Sequence, residues 1–156
     1  MKGQEEQPEY PRNRSMPSSV VIPVLNYPDV REAVEWLCRT FGFVERLRIA
    51  DHRAQLSFGQ GEIVVTGESK SPATGDSETS SSRTRQVTHS IMVRVLNVDA
   101  HYERATQSGA RIISPPTDYP YGERQYSVED IGGHVWTFSE STGDVDPGSW
   151  GGTLLE

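Results

Sequence analysis

The sequence predicts an α+β fold made of two tandem βαβββ modules. Three observations carry the prediction: an internal repeat, a capped amphipathic helix in each copy, and glycine-marked hairpins after each helix. The repeat is direct. "VIPVLNYPDVREAVEWLCRTFGFVERLRI" begins at Val21 and "SIMVRVLNVDAHYERATQSGARIISPP" at Ser90. Ile22 matches Ile91, Asp29 matches Asn97 and Gly42 matches Gly109, an offset that drifts only from 69 to 67 residues. A repeated unit of this size reads as one supersecondary element used twice.

The first helix is bounded at both ends. Asp29 is a good N-cap and Glu32 stands three residues on, the pattern of a capping box. Val30, Ala33, Val34, Leu37 and Phe41 follow the stripe of a helix with one buried side, Trp36 borders it, and Gly42 supplies a left-handed stop. The second helix starts at Asn97, shows Val98, Tyr102 and Ala105 on one side, and ends at Gly109. Three strands follow each helix: residues 43–49, 52–58 and 62–66 in the first unit, and 110–114, 123–129 and 134–140 in the second. Gly59-Gln60-Gly61 and Asp130-Ile131-Gly132-Gly133 supply the turns, where positive φ favours glycine. One unit alone cannot bury both its helix and its open sheet face; two together can.

Composition bounds the rest. Of 156 residues, 34% are hydrophobic, and the polar excess gathers in residues 1–18 and 67–86. Such stretches cannot bury enough surface to offset chain entropy, so both read as mobile. The organisation is then an arm (1–18), a first module (19–66), a linker (67–86), a second module (87–140) and a tail (141–156). The formal charge is −7 with no basic cluster, which sets nucleic acid aside as a partner. No apolar run approaches 18 residues and the N-terminus has no apolar stretch, so neither a membrane span nor a secretory signal is expected, and the cytoplasm is the expected compartment. Cys38 stands alone, which leaves no internal disulfide and no cysteine metal cluster; it reads as a small buried hydrophobe.

The doubled unit, "YPDVREAVEWLCRTFGF", and "VDAHYERATQSGARI" followed by "YGERQYSVEDIGGHVWTF" together resemble the vicinal oxygen chelate superfamily over residues 19–140. That superfamily includes glyoxalase I, bleomycin-resistance proteins and extradiol dioxygenases. The resemblance implies cupped mixed sheets around a small-molecule cavity, a homodimer, and, in metal-using members, four His, Gln or Glu ligands from the first and last strands of each module. Carried over by position, those places fall on Ile22, Val65, Ser90 and Thr137. None is a histidine or carboxylate, so no metal and no other cofactor is expected. His89 and Glu62 lie close by but out of step, and a one-residue slip points a strand side chain to the other face.

Strand alternation proposes which faces line the cup. Ile91, Val93 and Val95 alternate with Ser90, Met92 and Arg94, which places the aliphatic set under a helix and the other set in the cup. An even-length turn centred on Ile131-Gly132 pairs Tyr126 with Thr137 and Arg124 with Ser139; with Thr137 facing the cup, as the resemblance implies, Arg124, Tyr126 and Ser139 face it too, and Trp136 and Phe138 lie beneath the helices. The same parity in the first module sends His52, Ala54, Leu56, Ile63 and Val65 inward with Ile22 and Val24. The expected ligand-binding set is therefore His52, Leu56, Met92, Arg94, Arg124, Tyr126 and Thr137. Arginine recognises carboxylate or phosphate in a bidentate fork, and apolar cups with a few polar groups hold small molecules. The expected ligand has an apolar body and an anionic or oxygen-rich end.

Each of these residues also has a plainer reading. The arginines satisfy acidic neighbours in a chain rich in Asp and Glu. His89 and His134 are hydrogen-bonded strand histidines, and Tyr119 and Tyr121 anchor a loop or close over the cup. In the tail, Trp150, Leu154 and Leu155 dock on a surface or stay free. Three functions compete: a metal-independent binding protein, a metal-dependent lyase, isomerase or dioxygenase, and a metal-free enzyme working through His52, Tyr126 or an arginine.

Overall fold

The computed structural model describes residues 9–68 and 87–155; residues 69–86, most of the expected linker, lie outside the described residues, as do 1–8. The order is β1 (Val24–Tyr27), α1 (Val30–Phe41), β2 (Val44–Ile49), β3 (Arg53–Phe58) and β4 (Gly61–Gly67). β5 (Ser90–Arg94), α2 (Val98–Gln107), β6 (Arg111–Tyr119), β7 (Glu123–Glu129) and β8 (Val135–Ser141) follow. A short 3₁₀ turn, Pro147–Trp150, follows in the tail. The sheets are β1-β4-β3-β2 and β5-β8-β7-β6, each mixed. In both, the first strand runs parallel to the last strand of its module, and the other pairings are antiparallel. This is the βαβββ pattern that the repeat predicts. No helix among the described residues is long and apolar enough to cross a membrane.

The caps follow their chemistry. Asp29 accepts from the Glu32 backbone N–H at 3.1 Å and Asn97 from that of Ala100 at 3.0 Å, so each satisfies a donor that the first turn leaves free. Gly42 ends α1 at φ 87°, where a side chain would be strained. β6 runs on through Pro115 and Pro116 well past the predicted residue 114. It lies at the edge of its sheet, where missing N–H groups cost little, and its register shifts on either side of Ser114.

Each sheet has one face covered by a helix. On the first, Leu25, Tyr27, Ala54, Leu56, Ile63 and Val65 pack beneath α1; on the second, Tyr126, Val128, Trp136 and Phe138 pack with Val98 and Ala105 of α2. The two covered faces share a single core. Phe41, at the end of α1, meets Trp36, Phe138 and Trp136 with ring centroids 4.9, 4.8 and 5.4 Å away. Arg104 of α2 donates to the carbonyls of Arg39 and Cys38 at 3.0 and 3.2 Å, placing its charge on the negative end of α1. The modules thus meet through their helical sides, and within one chain the helix-free faces are not set opposite each other.

A second link is polar. Asp130, buried in the β7–β8 turn, accepts from the Tyr27 hydroxyl of β1 at 2.5 Å and from Trp136 Nε1 at 2.9 Å. Its other oxygen accepts from the backbone N–H groups of Gly132 and His134, both at 2.9 Å. Burial first, and then the neighbouring Asp130 charge, push the Tyr27 phenol far above its ordinary range, so it remains a donor. His134 Nε2 donates to the Asn26 carbonyl at 2.9 Å, again across the modules.

The same turn corrects the predicted strand phase. Glu129 pairs with Val135, so residues 130–134 form an odd-length connection. Its shape is held by the Asp130 carboxylate and by Gly133 at φ 87°. Tyr126 therefore pairs with Phe138 rather than Thr137, and Arg124 with Glu140 rather than Ser139. Tyr126 and Arg124 belong to the helix-covered face; Gln125 and Ser127 belong to the helix-free one. Trp136 and Phe138 do lie beneath the helices. In the first module Leu25 pairs with Val65, and Val24 with Val64. Ala54, Leu56, Ile63 and Val65 consequently face α1, while Val24, Gln55, Glu62 and Val64 take the helix-free side.

Asp130→Asn keeps the volume but cannot accept from all four donors. The expected loss is roughly 3–5 kcal/mol, read as a lower urea midpoint at unchanged slope.

Candidate functional site

Three of the predicted ligand residues share one surface. Met92 pairs with Thr137 and Arg94 with Ser139, which sets all four on the helix-free face of the second sheet. Met92 is 64% exposed. Arg94 is exposed too, and among the described residues it makes no salt bridge. The floor beside them is a ladder of short polar side chains. Ser127 Oγ and Thr137 Oγ1 are hydrogen-bonded at 2.9 Å, Gln125 Nε2 donates to Ser139 Oγ at 3.0 Å, and Ser139 Oγ donates to Glu123 at 2.7 Å. A hydrogen bond from Ser141, joined by that from Ser139 and by the Arg94 charge, holds the Glu123 carboxyl below its usual range, against a smaller effect of burial.

One end of this surface is aromatic. Tyr121 donates to Gln125 Oε1 at 3.3 Å, stacks on Tyr119 with centroids 5.3 Å apart, and meets Trp150 edge-on at 5.4 Å. Trp150 of the tail therefore docks within its own chain, while Leu154 and Leu155 stay exposed. Along the free edge of β5 runs a groove of about 1080 Å³. Val20, Val21 and the 59–63 turn line one side, Met92, Arg94 and Leu96 the other, and α2 forms its base.

The other predicted residues are placed elsewhere. His52 is exposed in the turn before β3, and Leu56 is fully buried beneath α1. Arg124 is held by Asp99 at 3.0 Å and Asp118 at 3.3 Å, so its fork is already engaged. Tyr126 is fully buried; its hydroxyl donates to His101 Nδ1 at 2.5 Å, and burial raises its pKa.

His101 was not singled out by the sequence reading, although it shares the α2 stripe of Val98, Tyr102 and Ala105. Its Nε2 lies 2.8 Å from the Phe41 carbonyl, which can only accept, so Nε2 carries the proton and Nδ1 takes the bond from Tyr126. Burial, reinforced by the Arg104 charge and opposed by the Phe41 carbonyl, lowers its pKa. The ring is a neutral bolt between modules, and it also lines the groove beside β5.

The described residues do not fit a metal. Among the described residues no three His, Cys, Asp or Glu gather. Of the four positions carried over from metal-using proteins, Ser90 and Thr137 face the helix-free side and Val65 lies under α1. Glu62, in phase with the helix-free face after all, is a lone carboxylate that accepts two hydrogen bonds from Ser18. A zinc-type or other transition-metal site gathers several imidazole, carboxylate or thiolate ligands together.

Comparison with known proteins agrees with the fold. The family model of the Glyoxalase/Bleomycin resistance protein/Dioxygenase superfamily matches residues 19–138. Among solved structures, TioX from Micromonospora sp. ML1 is 34% identical and superposes with a TM-score of 0.65, covering 80% of this chain and 99% of that one. A glyoxalase/bleomycin resistance protein/dioxygenase family enzyme from Burkholderia phytofirmans PsJN is 19% identical at a TM-score of 0.61, covering 77% of this chain and 96% of its own. The fosfomycin resistance protein FosX from Listeria monocytogenes is 16% identical at 0.60, covering 81% and 96%. The last two likenesses concern the fold alone. No curated relative matches.

The neutral His101 generates a pH dependence. Its folded pKa lies below the ordinary 6.5, so between these values the unfolded chain binds more protons. The contribution is fully present above about 6.5, declines as pH falls below it, and levels off under the folded value. The urea midpoint should drop between about pH 7 and about pH 5, and His101→Gln should flatten that drop. Tyr126→Phe, which removes the donor to Nδ1, should cost about 1 kcal/mol near neutral pH.

Proposed function

We propose that this chain, which belongs to the Glyoxalase/Bleomycin resistance protein/Dioxygenase superfamily, works as a metal-independent small-molecule-binding protein. Its ligand has an apolar body and an anionic or oxygen-rich end. The observation that carries the reading is the helix-free face of the second sheet. There an exposed methionine, an arginine without a salt bridge among the described residues and a ladder of hydroxyl and amide groups lie next to an aromatic wall. Arg94 meets the anionic end, Thr137, Ser127 and Gln125 offer hydrogen bonds, and Met92 and Tyr121 cover the apolar body. Arg124 and Tyr126 are left out of the site, because both are engaged on the other face.

A homodimer completes the cup. The two sheets of one chain meet through their covered faces, so a helix-free face needs a second copy opposite it to become a cavity. Val20, Val21, Val24, Met92 and Leu96, all more than half exposed, supply apolar surface for that contact beside the free edges of β1 and β5.

8-Anilinonaphthalene-1-sulfonate, an apolar body with an anionic end, serves as the probe. Arg94→Ala should weaken its binding roughly tenfold, about 1.4 kcal/mol, whereas Arg124→Ala should leave it within about twofold. Dialysis against a chelator should change neither probe binding nor the unfolding midpoint. A stoichiometric divalent ion whose removal lowers that midpoint would instead place the chain with metal-dependent lyases, isomerases or dioxygenases.

A further inference from the structure

The helix-free face of the first sheet is occupied by the chain itself. Residues 14–19 cross β2, β3 and β4 before the chain enters β1. Over β2, Arg46 Nη2 donates to the Arg14 carbonyl at 2.6 Å. Over β3, Gln55 Nε2 donates to the Ser15 carbonyl at 2.9 Å, while its oxygen accepts from Arg46. Over β4, the backbone N–H and hydroxyl of Ser18 donate to the two oxygens of Glu62 at 3.0 and 2.7 Å, and the Ser19 hydroxyl to the Gln60 carbonyl at 3.3 Å. Pro17 is buried. Gln55 and Val64, only 3% exposed each, lie on the side away from α1, and Val64 is absent from the shared core. What covers this side is the crossing segment.

We infer that residues 14–19 form a strap that takes the place of a ligand in the first module's half of the site, so that a bound molecule lies against the strap and the second sheet rather than against β1–β4. This rests on the small-molecule reading above. Three features fit a cover better than a structural staple. The strap contacts no residue of the shared apolar core through the bonds that hold it. Its anchors are polar side chains on a surface that would otherwise face a ligand or solvent. The strap leaves Met16, at 51%, and the Arg14 side chain exposed, groups of the same kind as Met92 and Arg94 on the second sheet.

Two readouts on the full-length chain test it. Trypsin reports the strap alone. Cleavage after Arg14, whose carbonyl is bound, should run roughly tenfold slower than cleavage after Arg12, and the two should become comparable in Gln55→Ala/Glu62→Ala. The anilinonaphthalene sulfonate probe reports the site. Releasing the strap bares Val64 beside the already exposed Val24, so the double variant should bind it roughly tenfold tighter. Circular dichroism confirms that the variant is folded, and Glu62→Ala alone gives a milder change in the same direction. Equal cleavage after Arg12 and Arg14 in the unaltered chain overturns the strap. A protected strap whose release leaves probe binding unchanged overturns its place in the site. Neither result bears on Arg94, whose substitution judges the binding reading separately.

Discussion

Each sheet in this chain has one apolar face that its own helix only partly buries, and the two such faces complete each other. Phe41 stands at that contact, with rings from both modules around it. The hydrophobic gain of joining the faces is far larger than any polar contact can offset. The direction this forces shapes the proposed function: the helical sides turn inward and the helix-free faces are left on the outside.

Polar links then fix how the modules sit. His101 bonds simultaneously to the α1 terminus and to β7, and Asp130 ties β1 to the β7–β8 turn. Asp130 is buried and His101 half-buried, and both are partnered on each side, the condition under which a polar core element specifies one arrangement rather than weakening it. The Asp130 turn has a further consequence. By making the connection odd, it decides that Gln125 and Ser127, and not Arg124 and Tyr126, stand on the helix-free face beside Thr137. A single capped turn therefore selects the chemistry of the candidate site.

Much of the fold is legible in the sequence because it is local. Asp29 and Asn97 as caps, Gly42 as a stop, the α1 stripe and the turn glycines each act within a few residues, and the repeat reports the architecture. The phase of the strands is less legible. Ile63, Val64 and Val65 form a continuous apolar run, so alternation carries no signal; all three are buried because α1 covers one side and the strap the other. Likewise the parity of the second hairpin depends on a carboxylate that collects donors from β1 and β8, a long-range arrangement that spacing does not encode. The arm's polar composition suggested mobility, yet residues 14–19 are bound through backbone carbonyls and small hydroxyls, which composition does not reveal. The shared face of Met92 and Arg94 is legible because Ile91 and Val93 alternate cleanly with them in β5, whereas Thr137 of β8 is placed by the resemblance.

The account stands on the helix-free faces being half-sites that a second chain completes. Sedimentation velocity over a dilution series, with the anilinonaphthalene sulfonate probe present, tests this most directly. The account predicts a dimer that carries the probe and loses it in step with dissociation to monomer. A monomer that keeps the probe with undiminished affinity would contradict it.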